Sequence, residues 1–339
     1  MSNINNTAVI IGLFALVVVI ANLAEQREGL RSLVFGTLLA LNVVFVYTYG
    51  FYAPANADPP ISIEAAMAAR FISAIVGIFT TLALFPSVRR WLARLLPQHV
   101  PSVSGSGFDP DSPVHMTALV FCGYLFASTV LDFVLAGGMT GLASELSQQG
   151  GFAVNSQVLN MVVFIMFALL GVGIVVRRPP LQALERLGLR APTPRELLIG
   201  IGTALLMIGI AIGVGFFWEI IVGEDTLQQQ TQVSALLSQS ITTLGVALII
   251  SSTAAIGEEI AFRGALQPIF GVGVTSIFFA LVHIQYTLTP ASLIIVVVGF
   301  ALGMLRQRYN TTTSIVAHFV YNYGQMFALI WVRYAFAKG

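Results

Sequence analysis

Long runs of apolar residues dominate the chain, and short polar stretches separate them. A membrane-spanning helix needs about 20 consecutive, mostly apolar residues. The pattern therefore predicts an all-α polytopic membrane protein with about ten transmembrane helices. The predicted spans are residues 7–24, 32–52, 64–85, 115–136, 157–176, 197–222, 240–267, 272–286, 290–305 and 311–333.

The composition agrees with a chain that lies in a lipid bilayer. Of the 339 residues, 57% are hydrophobic and only 9% are charged, whereas a soluble domain carries about 25% charged residues. The formal net charge is +1, and no dense basic cluster indicates a nucleic-acid partner. Cys122 is the single cysteine, which excludes an intrachain disulfide and a cysteine-based metal site.

The positions of the arginines predict the orientation of the chain. If ten helices span the membrane, the arginine-rich loops all fall on one side, and cytoplasmic loops carry an excess of basic residues. We therefore expect a multi-pass protein of the cell membrane, with both termini outside. The loop arginines on the predicted cytoplasmic side are Arg27, Arg31, Arg89, Arg90, Arg94, Arg177, Arg178, Arg186, Arg190, Arg195, Arg306 and Arg308.

The polar stretches also predict the domain organisation. Residues 98–114 are rich in Ser, Gly, Pro and Asp, which is typical of a linker. This cytoplasmic linker would separate a three-helix membrane module (residues 1–97) from a seven-helix core (residues 115–339). Two cytoplasmic segments, Pro86–Pro97 and Pro180–Arg190, place Leu and Trp on one face and Arg on the other. Such helices lie in the plane of the membrane interface.

The last four predicted helices contain ionisable residues inside apolar sequence. Glu258 and Glu259 are adjacent, Arg263 follows one turn later, and His283 and His318 lie in the next helices. Charged side chains at bilayer depth cost several kcal/mol each, so such residues indicate a functional site.

Helical spacing suggests different tasks for the two glutamates. Glu259 and Arg263 are four residues apart, so they share a helix face and can form an ion pair. Glu258 points about 100° away and lacks that partner. A carboxylate that is unpaired in an apolar site suits general acid or base chemistry. We therefore expect Glu258 to carry chemistry, with Glu259 and Arg263 in support.

The predicted helix lengths bring these groups to similar depth. Glu258 precedes Gly271, near the predicted turn between the seventh and eighth helices, by 13 residues, and His283 follows it by 12. At 1.5 Å per residue both lie about 18 Å from that turn. His318 and Asn322 share one face of the last helix and reach a similar depth. The four side chains would then converge in a cavity that opens towards the cytoplasm.

These residues resemble the CPBP family of intramembrane proteases, which includes the type II CAAX prenyl endopeptidases. The family pattern E-E-x-x-x-R, F-x-x-x-H and H-x-x-x-N stands intact over about Leu197–Arg333. The first three helices look like an addition to the usual core. The resemblance implies that Glu258 activates water, that His283 and His318 line the site, and that Asn322 helps to stabilise the oxyanion. The motif residues are Glu258, Glu259, Arg263, Phe279, His283, His318 and Asn322.

Two chemical routes to peptide hydrolysis are open. Glu258, His283 and His318 could bind Zn²⁺, which would activate a water molecule. Alternatively, Glu258 deprotonates water with help from His283, while His318 and Asn322 stabilise the tetrahedral oxyanion. The chain has neither an H-E-x-x-H motif nor a further clear ligand, which favours the glutamate route.

Other functions remain open at this stage. A buried Glu–Arg–His network can be purely structural, and the chain could be a non-catalytic membrane scaffold or immunity partner. A transporter is less favoured because its inverted repeats and broken helices are not seen. If the chain is a protease, its substrate would be a membrane-associated or lipidated peptide. Prenylated CAAX-like tails, bacteriocins and peptide pheromones all fit the motifs, and the sequence predicts no oligomeric state.

Overall fold

The computed structural model describes residues 2–58, 60–96, 107–149, 154–222, 224, 227–228, 231, 235–236, 238–283 and 290–336. The described residues form helices that short turns connect, and they contain no β-strand. The predicted all-α membrane fold is therefore confirmed.

Eight helices of seven or more residues lie in the described part of the chain up to Arg186. Helix α2 continues through a π-helical turn at Thr48–Tyr52 before the chain leaves it. The short helices α4 and α8 coincide with the two predicted amphipathic segments. The bounds are Ser2–Ala24 (α1), Arg31–Tyr47 (α2), Ile63–Leu82 (α3), Pro86–Leu95 (α4), Pro113–Leu135 (α5), Gly138–Gln149 (α6), Val154–Gly171 (α7) and Pro180–Arg186 (α8).

Five longer helices and one π-helical segment follow in the described part of the chain, and they carry every motif residue except His283, which lies just beyond α11. The π-helical segment Glu259–Leu266 continues directly from α10. Helix α11 contains a break at Gly271, whose φ of +80° and ψ of 167° are not helical. The bounds are Pro194–Ile221 (α9), Leu244–Glu258 (α10), Gln267–Leu281 (α11), Pro290–Arg308 (α12) and Thr311–Phe336 (α13).

Seven helical stretches in the described part of the chain are long and apolar enough to cross a membrane. The predicted count of ten is not confirmed. Ala8–Ala24 is shorter, α12 is not among the seven, and the predicted seventh and eighth spans form one stretch that is interrupted at Gly271. The seven are Glu28–Ala55, Ile63–Leu82, Pro113–Leu135, Val154–Gly171, Pro194–Ile221, Leu244–Leu281 and Thr311–Ala335.

The chain forms two compact units. The first comprises residues 1–138, 166–187 and 265–274. Its core joins α1, α2, α3 and α5, and it includes a buried polar contact in which Tyr124 donates to Asn42, which in turn donates to Thr81 at 3.1 Å. Interhelical hydrogen bonds of this kind hold helices together in lipid, where the hydrophobic effect between helices is absent.

The second unit comprises residues 139–165, 188–264 and 275–339, and it contains every motif residue. Helix α13 packs against both α9 and α10. At the start of α9, Thr193 and Glu196 form a capping box, and Glu196 also pairs with Arg190 and accepts a hydrogen bond from Asn310 at 3.1 Å. These contacts fix α9 to the start of α13.

The predicted division into residues 1–97, 98–114 and 115–339 stays a prediction. Of the linker, only residues 107–114 lie within the described part of the chain. The amphipathic pattern of α4 needs one correction, because Arg89 points inward and is buried instead of lying on the exposed polar face.

Candidate active site

The two adjacent glutamates lie where α10 changes into the π-helical segment. Glu258 is the last residue of α10, and Glu259 is the first residue of the segment. The sequence predicted a regular α-helix over residues 240–267, so this wider turn was not foreseen. π-Helical insertions often occur at functional sites. Here the change of helix type falls between the two carboxylates.

Glu259 belongs to a fully buried network. Its Oε2 atom lies 3.4 Å from Nε of Arg263, and its Oε1 atom accepts a hydrogen bond from Nδ1 of His318 at 3.0 Å. Arg263 also donates to the Gly299 carbonyl at 3.2 Å and lies over the Phe279 ring at 4.5 Å. The predicted i,i+4 pair is therefore present, and its carboxylate also orients His318.

His283 lies just beyond the end of α11. The prediction extended this helix to residue 286, but α11 ends at Leu281, and residues 284–289 lie outside the described part. The His283 amide donates to Ala280, so the Phe279 carbonyl loses its helical partner and accepts a hydrogen bond from His283 Nδ1 at 2.7 Å. When the imidazole is neutral, this bond leaves the lone pair on Nε2.

Glu258 and His283 face each other. Glu258 Oε2 lies 3.8 Å from His283 Nε2, and the two side chains are 18% and 22% exposed. No described residue donates a hydrogen bond to this Oε2 atom, which is itself buried. Two proton acceptors therefore point towards the same position, and a proton donor placed there can interact with both.

Asn322 is half-buried one helical turn after His318 on α13. The two residues share a helix face, as the spacing predicted. The Phe279 ring contacts both histidines, with its centroid 4.6 Å from the ring of His283 and 6.1 Å from that of His318.

Close backbone packing supports the site at two glycines. A Cβ atom at Gly257 would lie 2.8 Å from Cα of Met161, so α10 approaches α7 directly beside Glu258. A Cβ atom at Gly299 would lie 3.3 Å from the Ser276 carbonyl. Gly299 and Gly303 have a GxxxG spacing in the sequence, whereas Gly257 has no such partner. Gly209 and Gly213 have the same spacing as Gly299 and Gly303, but open space surrounds them.

The predicted zinc site stays a prediction. Glu258 and His283 lie together, and His318, whose Nδ1 donates to Glu259, keeps Nε2 for a metal ion, as metal-binding histidines usually do. The described residues nevertheless contain no group of three or more His, Cys, Asp or Glu side chains in an arrangement that could hold a metal ion. A catalytic zinc site usually has three protein ligands.

Comparison with protein families gives an independent result. Residues 240–324 match the family model described as type II CAAX prenyl endopeptidase Rce1-like. The matched segment contains Glu258, His283, His318 and Asn322, and the resemblance predicted from the three motifs is confirmed. No curated protein and no solved structure matches the chain. The chain is therefore an integral membrane protein that carries a domain similar to a family of membrane endopeptidases.

Proposed function

We propose that this protein is an intramembrane endopeptidase in which Glu258 and His283 activate the attacking water. The observation that carries the proposal is the 3.8 Å approach of Glu258 Oε2 to His283 Nε2, with His283 Nδ1 committed to the Phe279 carbonyl. A water molecule between the two acceptors would donate both of its hydrogens. Glu258 then removes one proton as the oxygen attacks the peptide carbonyl, and general base catalysis of this kind contributes about 10²–10⁴-fold.

His318 and Asn322 would stabilise the oxyanion of the tetrahedral intermediate. Because His318 donates from Nδ1 to Glu259, it can donate to an oxyanion only from Nε2, which requires the doubly protonated imidazole. The Glu259 carboxylate stabilises that positive charge. The Asn322 amide would supply a second, neutral donor. Removal of one oxyanion donor typically costs about 10²–10³ in kcat.

Collapse of the intermediate would complete the hydrolysis. The carbonyl re-forms as the C–N bond breaks, and the proton held by Glu258 passes to the leaving amine. The other proton of the attacking water, which remains on the new carboxyl group, passes to His283 Nε2, so the products are a free carboxylate and a free amine and no redox partner is needed. We propose a membrane-associated or prenylated, CAAX-like peptide as the substrate, a site that opens towards the cytoplasm, and termini that lie outside.

The test compares matched Glu→Gln variants of the full chain in detergent. Wild type, Glu258→Gln and Glu219→Gln are incubated with a mixed set of transmembrane and prenylated peptides, and products are read by mass spectrometry. Glu219 is an exposed carboxylate near the end of α9 and serves as the control. We expect Glu258→Gln to lose at least 100-fold in cleavage rate, while Glu219→Gln retains the wild-type rate.

Two results would count against the proposal. Cleavage by Glu258→Gln at the wild-type rate would show that Glu258 is not the general base. If wild type cleaves none of the peptides, the result favours a non-catalytic membrane scaffold. Thermal unfolding of each variant checks that a loss of cleavage reflects chemistry and not a loss of folded protein.

A further inference from the structure

The short helix α4 presents two different columns of side chains on its exposed face. Arg90 and Arg94 are exposed and lie one helical turn apart. Trp91 and Leu95 are 56% and 65% exposed and form the adjacent column, about 100° around the helix. A basic column therefore runs beside an apolar column along the same exposed surface.

Contacts on the inner face fix the orientation of α4. Arg89 is 6% exposed and donates to the carbonyls of Ala83 at 3.1 Å and Leu84 at 2.5 Å, which directly follow α3. Arg89 also donates to the Pro110 carbonyl at 2.5 Å. The bonds to Ala83 and Leu84 satisfy carbonyls at the C-terminal end of a candidate membrane span, where helical partners are missing. Helix α4 is therefore held at one end of the α3 span.

Apolar packing holds the same inner face. Ala93 and Leu96 pack against a buried cluster of Phe108, Ile269 and Phe270. Rotation of α4 about its axis would expose these residues and break the Arg89 contacts. The outward direction of the basic and apolar columns is thus a fixed property of the fold and not the result of a loosely attached helix.

The outer face has the chemistry that a membrane surface requires. Trp is enriched at the level of the lipid headgroups, with apolar neighbours directed towards the acyl chains. The planar guanidinium group of Arg binds phosphate through paired hydrogen bonds. Asp111 lies 3.4 Å from Arg90, but both side chains are more than half exposed, at 58% and 62%. Such exposed pairs are weak, so Asp111 leaves Arg90 free to exchange partners.

We propose that the Arg90–Arg94 column of α4 is a binding site for the headgroups of anionic phospholipids. Trp91 and Leu95 insert beside the same headgroup, and the two guanidinium groups contact its phosphate. The proposal is independent of the peptidase function, because α4 contains none of the motif residues. It predicts selectivity among lipids, which general anchoring by an apolar face would not produce.

The test is native mass spectrometry of the full chain in detergent, titrated separately with phosphatidylglycerol and phosphatidylcholine. The double variant Arg90→Gln/Arg94→Gln is compared with Arg27→Gln/Arg31→Gln, which removes two other exposed arginines of the same unit. Each basic residue near a charged membrane surface contributes about fivefold in affinity. We expect Arg90→Gln/Arg94→Gln to bind phosphatidylglycerol roughly 25-fold more weakly than wild type does. Arg27→Gln/Arg31→Gln should bind phosphatidylglycerol as wild type does, and neither variant should change the binding of phosphatidylcholine.

Several outcomes would overturn the proposal. An equal loss in both double variants would show diffuse charge attraction rather than a site on α4. Equal retention of the two lipids by wild type would show that the face is not selective for anionic headgroups. Competition by inorganic phosphate, with no effect of Trp91→Gln, would indicate a free-anion site instead of a lipid site. Unfolding temperatures confirm that these surface variants remain folded.

Discussion

The buried ion pair between Glu259 and Arg263 offers a quantitative test of how the site is held together. The Glu259 side chain is 0% exposed and that of Arg263 is 1% exposed, and the charged atoms lie 3.4 Å apart. A buried pair adds little net stability compared with an apolar replacement, but removal of one partner costs about 3–5 kcal/mol because it leaves the other charge uncompensated. The single and double variants should therefore differ sharply.

The contacts predict an order for the two single variants. Arg263→Met leaves the Glu259 carboxylate paired with His318, whose positive charge still compensates it, so we expect a loss of about 3 kcal/mol. Glu259→Gln leaves Arg263 with only the Gly299 carbonyl and the Phe279 ring, and it also removes the anion that stabilises His318. We expect this larger loss to be about 5 kcal/mol. The double variant Glu259→Gln/Arg263→Met should lose less than the sum of both.

Thermal unfolding at one fixed heating rate measures these differences. Each kcal/mol shifts Tm by roughly 2–4 °C in chains of 150–250 residues, so the singles should lose roughly 6–20 °C. Arg70→Met is the control, since Arg70 is exposed and lies 5.7 Å from the Phe51 ring. It should cost about 1 kcal/mol or less. The reasoning would be refuted if the double variant lost as much stability as the two single variants together. It would also be refuted if each single variant lost no more than Arg70→Met.

Two further predictions concern packing and metal dependence. Gly257→Ala should lower stability by about 1–3 kcal/mol and reduce cleavage, because its Cβ would lie 2.8 Å from Met161 Cα. Gly245→Ala on the same helix meets only Thr243 Oγ1 at 3.8 Å and should retain the wild-type Tm or exceed it. If Glu258 is the base, a strong zinc chelator should leave the cleavage rate within about twofold of the untreated rate. The described residues bring together no three side chains that could hold a metal ion, which favours this outcome. Cleavage that the chelator abolishes and added Zn²⁺ restores would support the metal route instead.

The sequence predicted the fold class well because lipid imposes a simple rule. Every backbone group in the bilayer core must be satisfied within the chain, so long apolar runs become helices. The i,i+4 pairing of Glu259 with Arg263 was also predictable, because the spacing alone places both on one face. The approach of Glu258 to His283 followed from their similar distances to the break at Gly271. The last two of these predictions follow from the periodicity of the α-helix and its rise per residue.

The irregular features could not be read from periodicity. The π-helical segment that begins at Glu259 has an ordinary helical composition, and nothing in its apolar pattern distinguishes it from an α-helix. The early end of α11 at Leu281 was hidden in the same way, since Val282 and Ile284 continue the apolar pattern past the end of the helix. The close approach at Gly257 depends on Met161, which is almost one hundred residues away in sequence. Each feature is decided by tertiary contacts rather than by local preference.

Both irregularities change the partners of the motif side chains, and both do so by departing from regular helix geometry. A regular helix satisfies its own backbone groups and leaves its side chains evenly spaced. Where α11 ends early, the freed Phe279 carbonyl accepts a hydrogen bond from Nδ1 of His283, and Nε2 of the same ring faces Glu258. Where α10 changes to the wider turn, Glu259 enters the buried network with Arg263 while its neighbour stays outside it. Helical spacing and these local departures together place Glu259 in the buried network and Glu258 beside His283, which is why we propose Glu258 as the base.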